Sequence, residues 1–205
     1  MIESLENTLQ IAVLLLCAAI SLLRAAKRRS RTWTLLFFFY GSFVLGDIYW
    51  LACLLFFDRT PQISVVSDLS WYASYLFLYL LLRQADPPER LNRAGFLPWL
   101  GPVFTAGMAV FFTQYGQPLN NLIYAALMGL LLFAALRRLT DRGEAGSPKA
   151  LPFLILLFCL LEYALWMVSC FFLGETLANP YYWFDFLLTI SCPFFLPAVR
   201  KAVTP

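Results

Sequence analysis

Residues 33–57 read WTLLFFFYGSFVLGDIYWLACLLFF, an apolar run interrupted by one charged side chain, Asp47. A bilayer core about 30 Å thick is crossed by roughly 20 apolar residues in a helix, so this run is long enough to span it. Six further stretches have the same character, at 7–23, 63–82, 96–113, 119–136, 151–173 and 181–199. Irregular backbone is too costly in lipid, and no alternating barrel-strand pattern is present, so each stretch is expected to be a helix. The fourth is the weakest, because Pro98, Gly101, Pro102 and Gly107 crowd it. Such residues are tolerated in membrane helices where neighbours satisfy the backbone. The predicted fold is all-α: a polytopic protein of seven transmembrane helices forming a single integral membrane domain over residues 1–205.

The composition agrees. Hydrophobic side chains make up 61% of the 205 residues and charged ones 13%, with a mean hydropathy of +0.72. Soluble proteins average about 25% charged, and that deficit leaves too little polar surface to cover a globule. A disordered chain, a disulfide scaffold and a nucleic-acid-binding domain are excluded together.

Basic residues cluster after alternate spans: from Arg24 to Arg31 after the first, then Arg83, Arg90 and Arg93, then Arg137, Arg138, Arg142 and Lys149, then Arg200 and Lys201. Only Arg59 of the fifteen Lys and Arg lies on the other side. The positive-inside rule then predicts a cytoplasmic C-terminus, an external N-terminus and a multi-pass protein of the cell membrane. The acidic start, Met1-Ile2-Glu3-Ser4-Leu5-Glu6, predicts that the first span is an anchor and not a cleaved signal peptide.

Histidine is absent, which removes His-based triads, zinc or haem ligation and a histidine relay. Cys17, Cys53, Cys159, Cys170 and Cys192 all lie in apolar spans without a C-x-x-C pair and read as packing residues. No metal or other cofactor is implied. The connections are short, so the chemistry is expected inside the membrane.

The spans on either side of the fourth match each other. Leu5-Glu6-Asn7 recurs as Leu119-Asn120-Asn121, Asp47 precedes Phe56-Phe57 as Glu162 precedes Phe171-Phe172, and Asp68 precedes Arg83 as Asp185 precedes Arg200. This predicts a parallel repeat, 1–85 and 117–205, joined by a linker helix at 94–114. Parallel repeats are a transporter architecture with the site between them.

The matched acidic residues are the candidate site, since ionisable groups inside a span are functional candidates by default. At 1.5 Å per residue, Asp47 and Glu162 lie roughly 15 Å below the outer helix ends, and Asp68 and Asp185 roughly 6–8 Å. No basic residue neighbours them along their own spans, so they face a polar cavity, bind a cation or hold a proton. Helical spacing adds Trp50 beside Asp47, Tyr72 and Tyr75 beside Asp68, Trp166 beside Glu162, and Thr189 beside Asp185. Aromatic faces beside carboxylates suit cations. The expected ligand is therefore a small polar or cationic molecule in an outward-facing pocket, held by a carrier or receptor. An accessory subunit that pairs with a second copy or another membrane protein remains an alternative.

Leu45-Gly46-Asp47, followed by Leu161-Glu162, resembles the YhhN-type lysoplasmalogenases. In that family intramembrane acidic residues from two such segments face each other and hydrolyse the vinyl ether of lysoplasmalogens. The resemblance implies that Asp47 and Glu162 are a catalytic acid/base pair. This chain departs from the family in having seven expected spans where eight are typical, no histidine, and Glu as its second acid. The order of three spans, a linker helix and three spans is also similar to the SWEET and PQ-loop carriers, without the Pro-Gln motif in spans one and five.

Overall fold

A computed structural model describes residues 2–57, 60–61, 64–85, 95–141 and 149–203. Arg59, Gln62, Ile63, Arg90, Arg93, Arg142 and the first residue of the expected linker helix, Ala94, lie outside them. All regular structure among the described residues is helical: α1 (Ile2–Arg28), α2 (Arg31–Phe57), α3 (Val65–Ala85), α4 (Leu100–Phe112), α5 (Pro118–Thr140), α6 (Ala150–Ser169), α7 (Pro180–Ser191) and α8 (Phe195–Val203).

Six units are long and apolar enough to cross a membrane: α1, α2, α3, α5, α6 and the run Pro180–Ala202 that contains α7 and α8. The fourth expected span is shorter. It is a three-residue 3-10 turn, Leu97–Trp99, leading into the thirteen residues of α4. At 1.5 Å per residue, α4 reaches only about 20 Å. Pro98 opens the turn, and Gly116, at φ 144°, ends the segment before Pro118 opens α5. The last expected span is continuous in register but broken at a 3-10 turn, Cys192–Phe194. There Pro193 and Pro197 supply no backbone donor to the helix.

Helix neighbours form a closed ring in the order α1, α2, α3, α5, α6, α7 and back to α1. Antiparallel pairs run along the hairpins, as Arg24 over the Trp33 ring of α2 and Trp50 against Glu3 show for α1 and α2. The two closing seams, α3 with α5 and α7 with α1, are parallel: Tyr72 meets Asn120, and Gln10 meets Asp185. Helix α4 stands outside the ring against α5, where Gly101 brings it close: an added Cβ would lie 2.7 Å from Leu132 Cβ and 3.0 Å from the Phe133 amide nitrogen.

The ring is filled at one level by aromatic side chains. Phe39 and Phe43 of α2, Phe158 of α6, Phe195 of α8 and Tyr75 of α3 are all buried, with Phe158 touching each of the others at ring-centroid distances of 5.7 to 6.3 Å. On the side of this plug nearer the basic helix ends the core is mostly aliphatic, with Leu36, Leu78, Leu81, Leu82 and Met128 fully buried along with Trp33. On the other side it is polar.

Candidate functional site

In the half of the ring away from the basic helix ends, the helices enclose a cavity of ≈ 240 Å³. Its wall brings together Asp47 and Trp50 of α2, Trp71 and Tyr75 of α3, Glu162 and Trp166 of α6, and Tyr181 and Asp185 of α7. Asn7 and Gln10 of α1 complete it, and Phe43 of the plug is exposed to it. No Lys or Arg is part of the lining.

Asp47 sits near the middle of α2 and is 2% exposed. Its Oδ1 accepts a hydrogen bond of 3.1 Å from the Trp71 indole of α3, while Oδ2 is buried with no partner in the protein. The preceding glycine makes that bond feasible: a Cβ on Gly46 would stand 2.6 Å from Trp71 Nε1. Glu162, on the opposite hairpin, is 3% exposed. Tyr75 is its neighbour in the cavity wall, and Oε1 is buried without a partner among the described residues. Both carboxyl groups belong to the lining of this one cavity. Asp47 thus spends one oxygen on an indole of α3, and each of the two carboxyl groups has one buried oxygen without a partner.

Asp185 also lines the cavity, and it is satisfied differently. Gln10 Nε2 donates to Asp185 Oδ1 at 2.9 Å and to Thr189 Oγ1 at 3.2 Å, so Thr189 supports the wall without forming part of it. At the helix ends, Trp50 Nε1 donates to Glu3 Oε1 at 3.1 Å, and its ring lies 6.0 Å from that of Trp71. Trp166 is held by edge contacts with Tyr124 at 4.3 Å and Tyr163 at 5.2 Å.

Asp68 and Tyr72, expected at the same site, lie outside the lining of this cavity. Asp68 lies in the first turn of α3 and turns toward α5, accepting from Ser64 Oγ at 2.6 Å with the Tyr124 hydroxyl beside it. The Tyr72 hydroxyl donates to Asn120 Oδ1, and its ring packs edge-on to Tyr124 at 4.7 Å. These residues knit the seam between α3 and α5. Of the nine residues expected at the site, Asp47, Trp50, Tyr75, Glu162, Trp166 and Asp185 line the cavity; Asp68, Tyr72 and Thr189 do not.

Sequence spacing missed Trp71, Gln10 and Asn7. Trp71 shares the stripe of Asp68, Tyr72 and Tyr75 by helical spacing, but only the gap left by Gly46 shows where its indole goes. Gln10 had a usable signal: it is a polar residue one turn inside an otherwise apolar span. Among the described residues no three Asp, Glu or Cys side chains are grouped closely enough to hold a metal ion, and all five cysteines are free. Comparison of the chain with protein-family models, curated proteins and solved structures finds no match.

Proposed function

We propose that this multi-pass membrane protein binds a small organic cation in the cavity between its two helical halves, as a carrier or receptor. The observation that carries the reading is the pair of unpartnered oxygens, Asp47 Oδ2 and Glu162 Oε1, buried in the walls of one cavity that is lined with aromatic rings and no basic side chain. Buried carboxyl oxygens without partners are costly, and a cation entering with its own donors offsets that cost. Trp50, Trp71 and Trp166 offer faces suited to the positive charge.

A parallel repeat fits this reading. Exchanging α1 with α5, α2 with α6 and α3 with α7 leaves the order of the ring unchanged. The two seams carry matching pairs: Gln10 reaches Asp185 as its counterpart Tyr124 reaches Asp68. Ser74 Oγ donates to the Trp71 carbonyl as Ser191 Oγ donates to that of Leu188. Asp47 and Glu162 are themselves counterparts, which puts the site between the halves, where repeat transporters hold their substrates. In this reading the basic helix ends face the cytoplasm and the cavity lies toward the outside. Impermeant thiol reagent should label Thr176→Cys and spare Ser30→Cys on intact cells; the opposite pattern would reverse the orientation.

The test is thermal unfolding of the purified protein with small amines, matched neutral alcohols and matched carboxylates. A ligand that binds only the folded state raises Tm with concentration. A rise with amines alone supports the reading; no response to any amine, or an equal response to the alcohols, overturns it.

The same paired acids favour a second reading, intramembrane hydrolysis of a lysoplasmalogen. One carboxyl group would protonate the vinyl ether and the other would activate the water. Release of fatty aldehyde from a vinyl-ether lysophospholipid, lost in Glu162→Gln, would select it over the first.

A further inference from the structure

We infer that the cavity selects an ammonium ion that keeps at least two N–H groups, one directed to Asp47 Oδ2 and one to Glu162 Oε1, with its organic part against the tryptophans. The inference rests on the cation-binding reading and adds the class of cation to it. Two features of the wall compete. Aromatic faces alone favour fully methylated nitrogen, the usual ligand of aromatic cages. The open oxygens favour N–H, because a quaternary nitrogen would leave both without a hydrogen bond.

The inventory of donors decides between them. The Trp71 indole is engaged by the other oxygen of Asp47, and Tyr75 stands beside Glu162 in the wall. Gln10 is engaged by Asp185 and Thr189, and the Trp50 indole by Glu3. Tyr181 and Trp166 each bring a further donor to the wall, yet none of these donors reaches Asp47 Oδ2 or Glu162 Oε1, so two acceptors are left for an occupant. Hydrogen bonds to an ionised partner are roughly twice as strong as neutral ones, and two of them outweigh the gain from methylating one nitrogen. Because one oxygen comes from α2 and the other from α6, the two N–H groups bridge the halves of the ring.

Size narrows the organic part. A dry cavity of about 150 Å³ holds a benzene ring. At ≈ 240 Å³ this one has room for a ring and a short chain, and not for a long acyl tail. A suitable probe is 2-phenylethylammonium with its N-methyl, N,N-dimethyl and N,N,N-trimethyl homologues.

Titration calorimetry on the full chain in lipid nanodiscs measures the four. The primary and secondary ions, each with two or more N–H groups, should bind within about twofold of each other. The tertiary ion should be several-fold weaker and the quaternary ion at least tenfold weaker. Glu162→Gln should weaken the primary ion more than the quaternary one and so narrow that gap. A quaternary ion binding as well as the primary overturns the inference and leaves cation binding intact. A steady decline with every methyl, beginning at the first, marks steric exclusion and also overturns it. If none of the four binds while other amines raise Tm, the inference fails alone; if no amine does either, both fail.

Discussion

Replacing both open acids, in the variant Asp47→Asn/Glu162→Gln, is expected to weaken amine binding at least a hundredfold while the protein still folds. A hydrogen bond to a charged group contributes about 1.5–3 kcal/mol, so losing two amounts to about 3 kcal/mol or more. Each 1.4 kcal/mol is a factor of ten in Kd. Folding should respond in the opposite direction. An acid within a span costs about 2.5–3.5 kcal/mol on insertion scales, and the neutral amides relieve part of that cost. The amides keep the shape of the acids, so Trp71 retains an oxygen to donate to. Tm without ligand should therefore stay level or rise, and expression should be undiminished. A purely structural pair would behave otherwise, with binding and Tm falling together. Asp68→Asn is the contrast: that side chain belongs to the seam between α3 and α5, away from the cavity, and its loss should leave affinity within about threefold. If Asp68→Asn abolished binding and the double variant did not, the site would be wrongly placed.

How much of this the sequence discloses differs by level. Membrane class and helix positions follow from hydrophobic length alone, because the bilayer sets a fixed requirement that residues 33–57 visibly meet. The fourth helix is the exception: its run of apolar residues is adequate, but Pro98 and Pro102 displace its start and shorten it. Depth along a helix was also legible. Asp47 and Glu162 stand at corresponding levels, and both reach one cavity. Direction around the helix was not. Asp68 and Asp185 occupy matching positions, and both reach across a seam, yet only Asp185 also lines the cavity. Their cross-seam partners, Tyr124 and Gln10, are counterparts; Asp68 differs in accepting from Ser64 one turn earlier. A one-dimensional stripe places such residues on a face without showing which neighbour that face meets. Trp71 is the clearest loss, since its role depends on a glycine in another helix.

The largest effect on stability is expected from Phe158→Ala. Phe158 is fully buried and touches the rings of Phe39 at 5.7 Å, Phe43 at 6.0 Å, Tyr75 at 6.0 Å and Phe195 at 6.3 Å, joining four helices at one point. Phe→Ala in a core costs about 3–5 kcal/mol, part of it for the void left behind. Lipid is as apolar as the side chain, so little of the cost here is transfer from water; what remains is lost packing, which points to the lower end of that range. The same helix supplies a control. Phe153 is 56% exposed on the outside of the bundle, and its truncation removes few protein contacts. Thermal melts should show a large drop for Phe158→Ala, little change for Phe153→Ala, and a small drop for Phe158→Leu, which keeps most of the volume. Equal drops at 153 and 158 would mean that hydrophobicity alone, and not the plug, holds the ring. The plug also underlies the cavity. Tyr75 packs on Phe158 and is the neighbour of Glu162 in the cavity wall, so a void at 158 loosens Tyr75. Amine affinity should then fall in Phe158→Ala and recover in Phe158→Leu, a loss transmitted through packing with both carboxyl groups still in place.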